Sequence, residues 1–137
     1  LSEAEAQSLY REDGWPPAPG AGMRLIPAKD STFQMGSNAG EVDEKPVHSV
    51  QFTYDFWMDT TEVTQRDYET LMGVNVSSWQ ADTNAMNMVN WFDAALYCNT
   101  RSKRDGLDTV YTYTSISGTP GDDCILVDLA TDLSRLG

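Results

Sequence analysis

A chain of 137 residues has the length of one ordinary domain. Nine Lys and Arg stand against 21 Asp and Glu, for a formal charge of −12; that balance argues against binding nucleic acid or an anionic membrane leaflet, both of which call for a basic face. Leu, Ile, Val and Phe supply only 26 residues, under a fifth of the chain, so the 4 Trp, 6 Tyr and 6 Met must provide much of the buried area.

Residues 1–22 read as a lead-in. Ser2 to Arg11 suit a short helix with Ser2 as N-cap, and the Pro/Gly stretch Gly14–Gly20 ends it. Met23–Ile26 and Thr32–Met35 read as paired strands joined by the turn Ala28–Ser31. Gly36–Gly40 is a loop, and Glu41–Pro46 is acidic and solvated. Val50, Phe52, Tyr54, Phe56 and Met58 alternate with polar neighbours and predict one half-buried strand. Thr64 caps a helix with Asp67 at its third position, Tyr68, Leu71 and Met72 inside and Gly73 as its stop. Residues 74–87 are irregular. A second helix starts at Asn90, with Asp93 at the capping-box position. Its predicted inner stripe is Trp91, Ala94, Ala95 and Cys98, and it runs to Gly106. On that stripe Trp91→Ala is expected to cost ~3–5 kcal/mol. Val110–Thr114 reads as a short strand and Ser117–Asp123 as a turn-rich loop that leaves Cys124 in a loop. Strands and helices mixed without a βαβ rhythm give the class α+β.

Few residues carry a recognisable chemistry. No phosphate-binding glycine motif or nucleophile elbow occurs. His48 is the single histidine, and with the scattered Cys98 and Cys124 it makes a poor zinc set. Asp122, Asp123, Asp128 and Asp132 lack an EF-hand loop and read as a solvated acidic stretch, so no metal site is assigned. Trp57, Trp79 and Trp91 are candidates to line a ligand groove, although Trp91 reads as core. Asn75-Val76-Ser77 is a glycosylation sequon. Cys98 and Cys124 permit either a disulfide or two thiols; the pairing Cys98–Cys124 is the reading adopted, worth ~3 kcal/mol in the chain-entropy model. No apolar run is long enough to span a bilayer. Leu1 at the start, in place of Met, is compatible with a cleaved secretory signal, and the expected location is secreted, periplasmic or cell-surface.

Several stretches in order resemble the formylglycine-generating enzyme (sulfatase-modifying factor) family. They are Met23–Pro27, Thr32–Ser37, Asp43–His48, Phe56–Asp59 and Thr61–Gln65 with Tyr68, and then Val89–Ala95 with Tyr97-Cys98. The resemblance implies that 23–137 is the N-terminal part of a sulfatase-modifying-factor-type domain. The implied fold is related to C-type lectins, low in regular secondary structure and here incomplete. Family enzymes oxidise a sulfatase cysteine to formylglycine with molecular oxygen and copper held by two cysteines; calcium is a further family ligand. Those cysteines and calcium ligands belong to a C-terminal half that follows an Arg-Leu-Pro-Thr-Glu-like segment, and Cys98 matches a structural helix cysteine. The resemblance therefore implies no catalytic residue and no cofactor in this chain. It implies a noncatalytic part that meets a C-terminal half, or a lectin-like module that binds a protein or peptide ligand. Glu62 is the one position carried over, as an acid at the substrate groove; the other reading makes it the acid that holds the turn before Thr64.

Overall fold

A computed structural model describes residues 22–132; the expected Ser2–Arg11 helix lies outside them. The described chain is α+β and falls into two units, Gly22–Thr60 and 61–132.

In the first unit the predicted strands form, but with different partners. Strand β1 (Met23–Ile26) pairs antiparallel with β4 (Phe56–Asp59), and β2 (Thr32–Met35) pairs with β3 (His48–Gln51). β1 therefore does not pair with β2. The reason lies in the link between them. Ser31 N donates to Ala28 O at 2.9 Å, while Asp30 N donates to Phe52 O at 2.9 Å and Phe52 N to Ser31 O at 3.1 Å. The link thus lies along the opposite arm instead of folding back. The two ladders form one antiparallel ribbon whose tip is residues 36–47. Five residues, 27–31, face four, 52–55, so the register moves by a single residue between Ile26↔Phe56 and Thr32↔Gln51. That is a β-bulge, and Asp30 takes a left-handed φ of 63° within it, which Asp tolerates.

The bulge also divides the long alternating strand expected over Val50–Met58. Lys29 N donates to the Asp55 carboxylate at 2.7 Å, holding the chain off the ladder there. Phe52 stacks on Phe33 and tilts against Phe56, with ring centroids 5.8 and 5.3 Å apart. At the tip, Gly36 has φ 95°, and a Cβ there would collide with the Glu44 carbonyl, so this turn requires glycine. Glu41–Pro46 is exposed throughout.

In the second unit, helix α1 (Gln65–Met72) is capped by Thr64, whose side chain accepts from Asp67 N, and stops at Gly73 in the left-handed region. Tyr68 is buried and Leu71 and Met72 half-buried. Helix α2 (Trp91–Arg104) starts from Asn90, whose Oδ1 accepts from Asp93 N at 2.9 Å. Its buried face is not the expected one. Ala95 and Leu96 join Cys124 and Leu126 in the core, with Phe92, Met72, Tyr111, Tyr113 and Leu129 packed around them. Trp91 is 63% exposed and Cys98 is exposed. The inner stripe is the predicted one shifted by a residue, roughly a 100° rotation of the helix.

Trp91 meets Tyr111 edge-on at 6.0 Å, and an aromatic pair of this kind contributes about 0.5–1.5 kcal/mol. Trp91→Ala should therefore cost about 1 kcal/mol, not the ~3–5 of an emptied core site. A denaturant midpoint shifted by several kcal/mol would contradict this.

After α2 come β5 (Tyr111–Thr112), β6 (Ser115–Thr119), β7 (Asp122–Val127) and β8 (Ala130–Thr131). β5 pairs with β8, and β6 with β7. The expected loop at Ser117–Asp123 is instead a hairpin turning at Pro120-Gly121, and Cys124 lies on a strand. Cys124 and Leu126 alternate inward on β7, at 0% and 2% exposure. The expected Cys98–Cys124 disulfide is absent: Cys124 points into the core, whereas the rotation of α2 carries Cys98 to its outer side.

Candidate functional site

Two buried polar side chains organise the second unit. Asp93 is 1% exposed. Its Oδ1 accepts from Gly121 N at 2.7 Å and its Oδ2 from Cys124 N at 3.2 Å. A capping-box acid ordinarily returns to its own helix start; this one crosses to the β6–β7 hairpin and fixes it on α2. Beside it Asn90 Nδ2 donates to Cys124 O at 3.0 Å, and Tyr68 Oη donates to Gly121 O at 3.1 Å. Tyr68 also stacks on Tyr97, with centroids 5.3 Å apart. Burial raises the Tyr68 phenol above its ordinary value, and the Asp93 carboxylate adds to the shift.

The second organiser is Gln65, at 0% exposure. Its Nε2 donates to Trp79 O at 2.9 Å and to Ala85 O at 3.4 Å; its Oε1 accepts from Ala81 N at 2.9 Å and Asn75 Nδ2 at 3.1 Å. One side chain thus pins four points of the irregular segment after α1. Ser78 N donates to Asn87 Oδ1 at 3.2 Å, and Ser77 Oγ to Met86 Sδ at 3.2 Å. The segment is an ordered loop that displays Trp79, 81% exposed, and Met88, 71% exposed. Nothing in the periodicity singled out Gln65. Asn75 of the sequon has its amide nitrogen on Gln65, and Ser77 is buried, so the folded chain does not present this sequon to a transferase.

Glu62 is exposed, two residues before the Thr64 cap. Backbone bonds hold the turn there: Met86 N to Val63 O at 2.8 Å and Gln65 N to Asn84 O at 2.9 Å. Of the tryptophans considered for a groove, Trp57 is half-buried on β4 in the first unit, whereas Trp79 and Trp91 are exposed in the second. His48 begins β3, is exposed, and its Nδ1 lies 3.0 Å from Pro46 O.

The thiols do not suit copper, which is held by thiolates. Burial pushes the Cys124 thiol from its ordinary 9.0 up to about 11, aided by its hydrogen bond to Asp93. What separates the two cysteines is placement: Cys124 is fully buried in the core, whereas Cys98 is exposed on α2. Nor do three or more His, Cys, Asp or Glu side chains converge on a metal-sized site among the described residues. The Asp123 carboxylate instead meets the α2 cap, its Oδ1 accepting from Asn90 Nδ2 at 3.4 Å.

A raised thiol pKa has a signed consequence. The folded state holds the Cys124 proton more tightly than the unfolded chain, so this contribution is complete below pH 9. It is lost as pH rises from 9.0 through about 11, and Tyr68 acts in the same direction. Urea midpoints should fall across that window, and more shallowly in Cys124→Ala. Equal slopes in the two proteins would refute the assignment to Cys124.

The model of the sulfatase-modifying factor enzyme 1-like domain matches residues 17–133. Chaperone protein LppX of Paenibacillus barcinonensis is 38% identical over 58 residues, covering 42% of this chain and 21% of that protein. The solved structure of Treponema denticola variable protein 1 is similar with a TM-score of 0.57 at 23% identity, covering 75% of this chain and 36% of that one. The second likeness is one of fold. The chain spans about a fifth of the first relative's length and about a third of the second's.

Proposed function

The chain belongs to the sulfatase-modifying factor enzyme 1-like domain family, and from that premise we propose that it is a binding module without oxidase activity of its own. The observation that carries this reading is the placement of the cysteines. Copper-dependent oxidation of a peptide cysteine needs a pair of thiolates on one ion; here one cysteine is buried in the core and the other is exposed on α2. The exposure of three large apolar residues, Trp79, Met88 and Trp91, supports binding. A protein ligand fits them, in line with the chaperone name of one relative. Glu62, exposed beside that loop's pairing with Val63, is the acid we assign to ligand contact. A lectin-like fold, a location outside the cytoplasm and a C-terminal half as binding partner belong to the same proposal.

The test is chemical. A Cys-x-Pro-x-Arg peptide incubated with the chain, copper and oxygen should keep its thiol by mass spectrometry. A stoichiometric aldehyde product would overturn the proposal.

A further inference from the structure

A thioether is a weak hydrogen-bond acceptor, so one that serves a buried hydroxyl joins sulfur chemistry to the order of a loop. Ser77 is 6% exposed, and its Oγ donates to Met86 Sδ at 3.2 Å. The same oxygen accepts from Asn87 N at 3.3 Å. Next to it Ser78 N donates to Asn87 Oδ1 at 3.2 Å. The bonds that join 77–78 to 86–87 thus lie beside one sulfur atom. Met86 is half-buried. Met35, Met58 and Met88 are exposed and carry no such bond among the described residues.

The gap leaves no room for an added atom. A sulfoxide oxygen between the two side chains would need about 2.7 Å to the Ser77 hydroxyl oxygen. It would need its bond to sulfur besides, and the two together exceed 3.2 Å. Oxygen added on the opposite lone pair draws electron density from sulfur and leaves it a poorer acceptor still. It also sets a polar S=O group in a half-buried site. Either epimer of the sulfoxide therefore parts Ser77 from Met86.

We infer that Met86 is a redox-sensitive latch on the 77–87 loop. A peroxide supplies the oxygen: its O–O bond breaks, an S–O bond forms at Sδ, sulfur gives up two electrons and water leaves. The Ser77 hydroxyl then turns away, Asn87 N loses its fixed acceptor, and 77–78 separates from 86–87. Gln65 still holds Trp79 O and Ala81 N, so the opening stays local. Thiol-dependent reduction of the sulfoxide restores the thioether and closes the latch. The latch does not depend on what the chain binds.

The full chain is treated with hydrogen peroxide, oxidised methionines are mapped by mass spectrometry, and amide exchange is followed by NMR. Met35, Met58 and Met88 should oxidise first, without effect on the loop. As Met86 converts, exchange at Asn87 N should quicken about tenfold or more, a loss of about 1.4 kcal/mol, while Leu96 N stays protected. Methionine sulfoxide reductases for both epimers should reverse the change. Met86→Leu has no sulfur to oxidise at this position, so peroxide should leave its Asn87 exchange where it was. Ser77→Ala frees the sulfur, and its Met86 should oxidise several-fold faster. Met86 sulfoxide with unchanged Asn87 exchange overturns the inference, as does an equal peroxide response in Met86→Leu. So does a Met86 that stays reduced once the exposed methionines are fully converted.

Discussion

Asp93→Ala is expected to destabilise the 61–132 unit by about 2–6 kcal/mol, the sum of two buried amides stripped of a charged acceptor at roughly 1–3 kcal/mol each. The amides are Gly121 N and Cys124 N, 2.7 and 3.2 Å from the carboxylate. Beyond them, the polar ties of this hairpin to the helices are Asn90 at the start of α2 and Tyr68 on α1. Asp93→Asn should cost less, because the side-chain oxygen can still serve one amide while its NH2 opposes the other. The order Ala worse than Asn, read from urea midpoints, is the check; a cost below about 1 kcal/mol for Asp93→Ala would show that the hairpin is held by packing alone.

Gln65→Ala should cost about 2–4 kcal/mol, and the loss should be local. The substitution removes the partner of the Trp79 carbonyl and of the Ala81 amide, two part-buried bonds made by a fully buried side chain; a fully buried polar group left unpaired costs about 1–3 kcal/mol, and partial access to water keeps the total in the lower part of the range for two. Gln65→Glu keeps the shape and the bond from Ala81 but has no donor for Trp79 O, so it should fall between wild type and Ala. Hydrogen exchange separates local from global effects: Ala81 N should lose protection more than Leu96 N does. Equal losses at both amides would mean that the loop does not open on its own.

Both predictions concern residues that hydrophobic periodicity passes over, and this marks where the sequence was readable. Caps were readable because each is a local contract between a side chain and an amide three residues on. Thr64 with the Asp67 amide, Asn90 with the Asp93 amide, and the glycine stops at 73 and 106 all stand, whereas the Asp93 carboxylate, expected in a capping box, goes to the hairpin. The rotation of α2 was not, because Trp91/Ala94/Ala95/Cys98 and Phe92/Ala95/Leu96/Asn99 obey the same period. What decides between them is polar: Asn99 bonds both the N–H and the C=O of Tyr111, and Asp93 seats the hairpin. A polar residue with a long-range partner carries no mark in the sequence. The strand segments of the first unit were legible by alternation, while their partners were not, since pairing adjacent segments through Ala28–Ser31 and pairing them around the 36–47 tip use the same composition. At the candidate site the exposed Trp79 was visible as a residue, but its rigid presentation depends on Gln65, fourteen positions away.

The single extra residue in the ribbon of the first unit acts as a frame-shift in the pleat. Ile26 faces Phe56, even against even, yet Phe33 faces Val50, odd against even. The bulged arm therefore changes which parity of its residues shares a side with the other arm, and one stretch of sequence presents two different faces along a single ladder. Length changes in this unit are accordingly not equivalent. Loss of one residue from 27–31 would merge the two ladders into one frame and turn all of β1 over relative to β2, whereas residues added at the 36–47 tip leave both frames as they are. Natural variation in length, if this ribbon tolerates any, belongs at the tip.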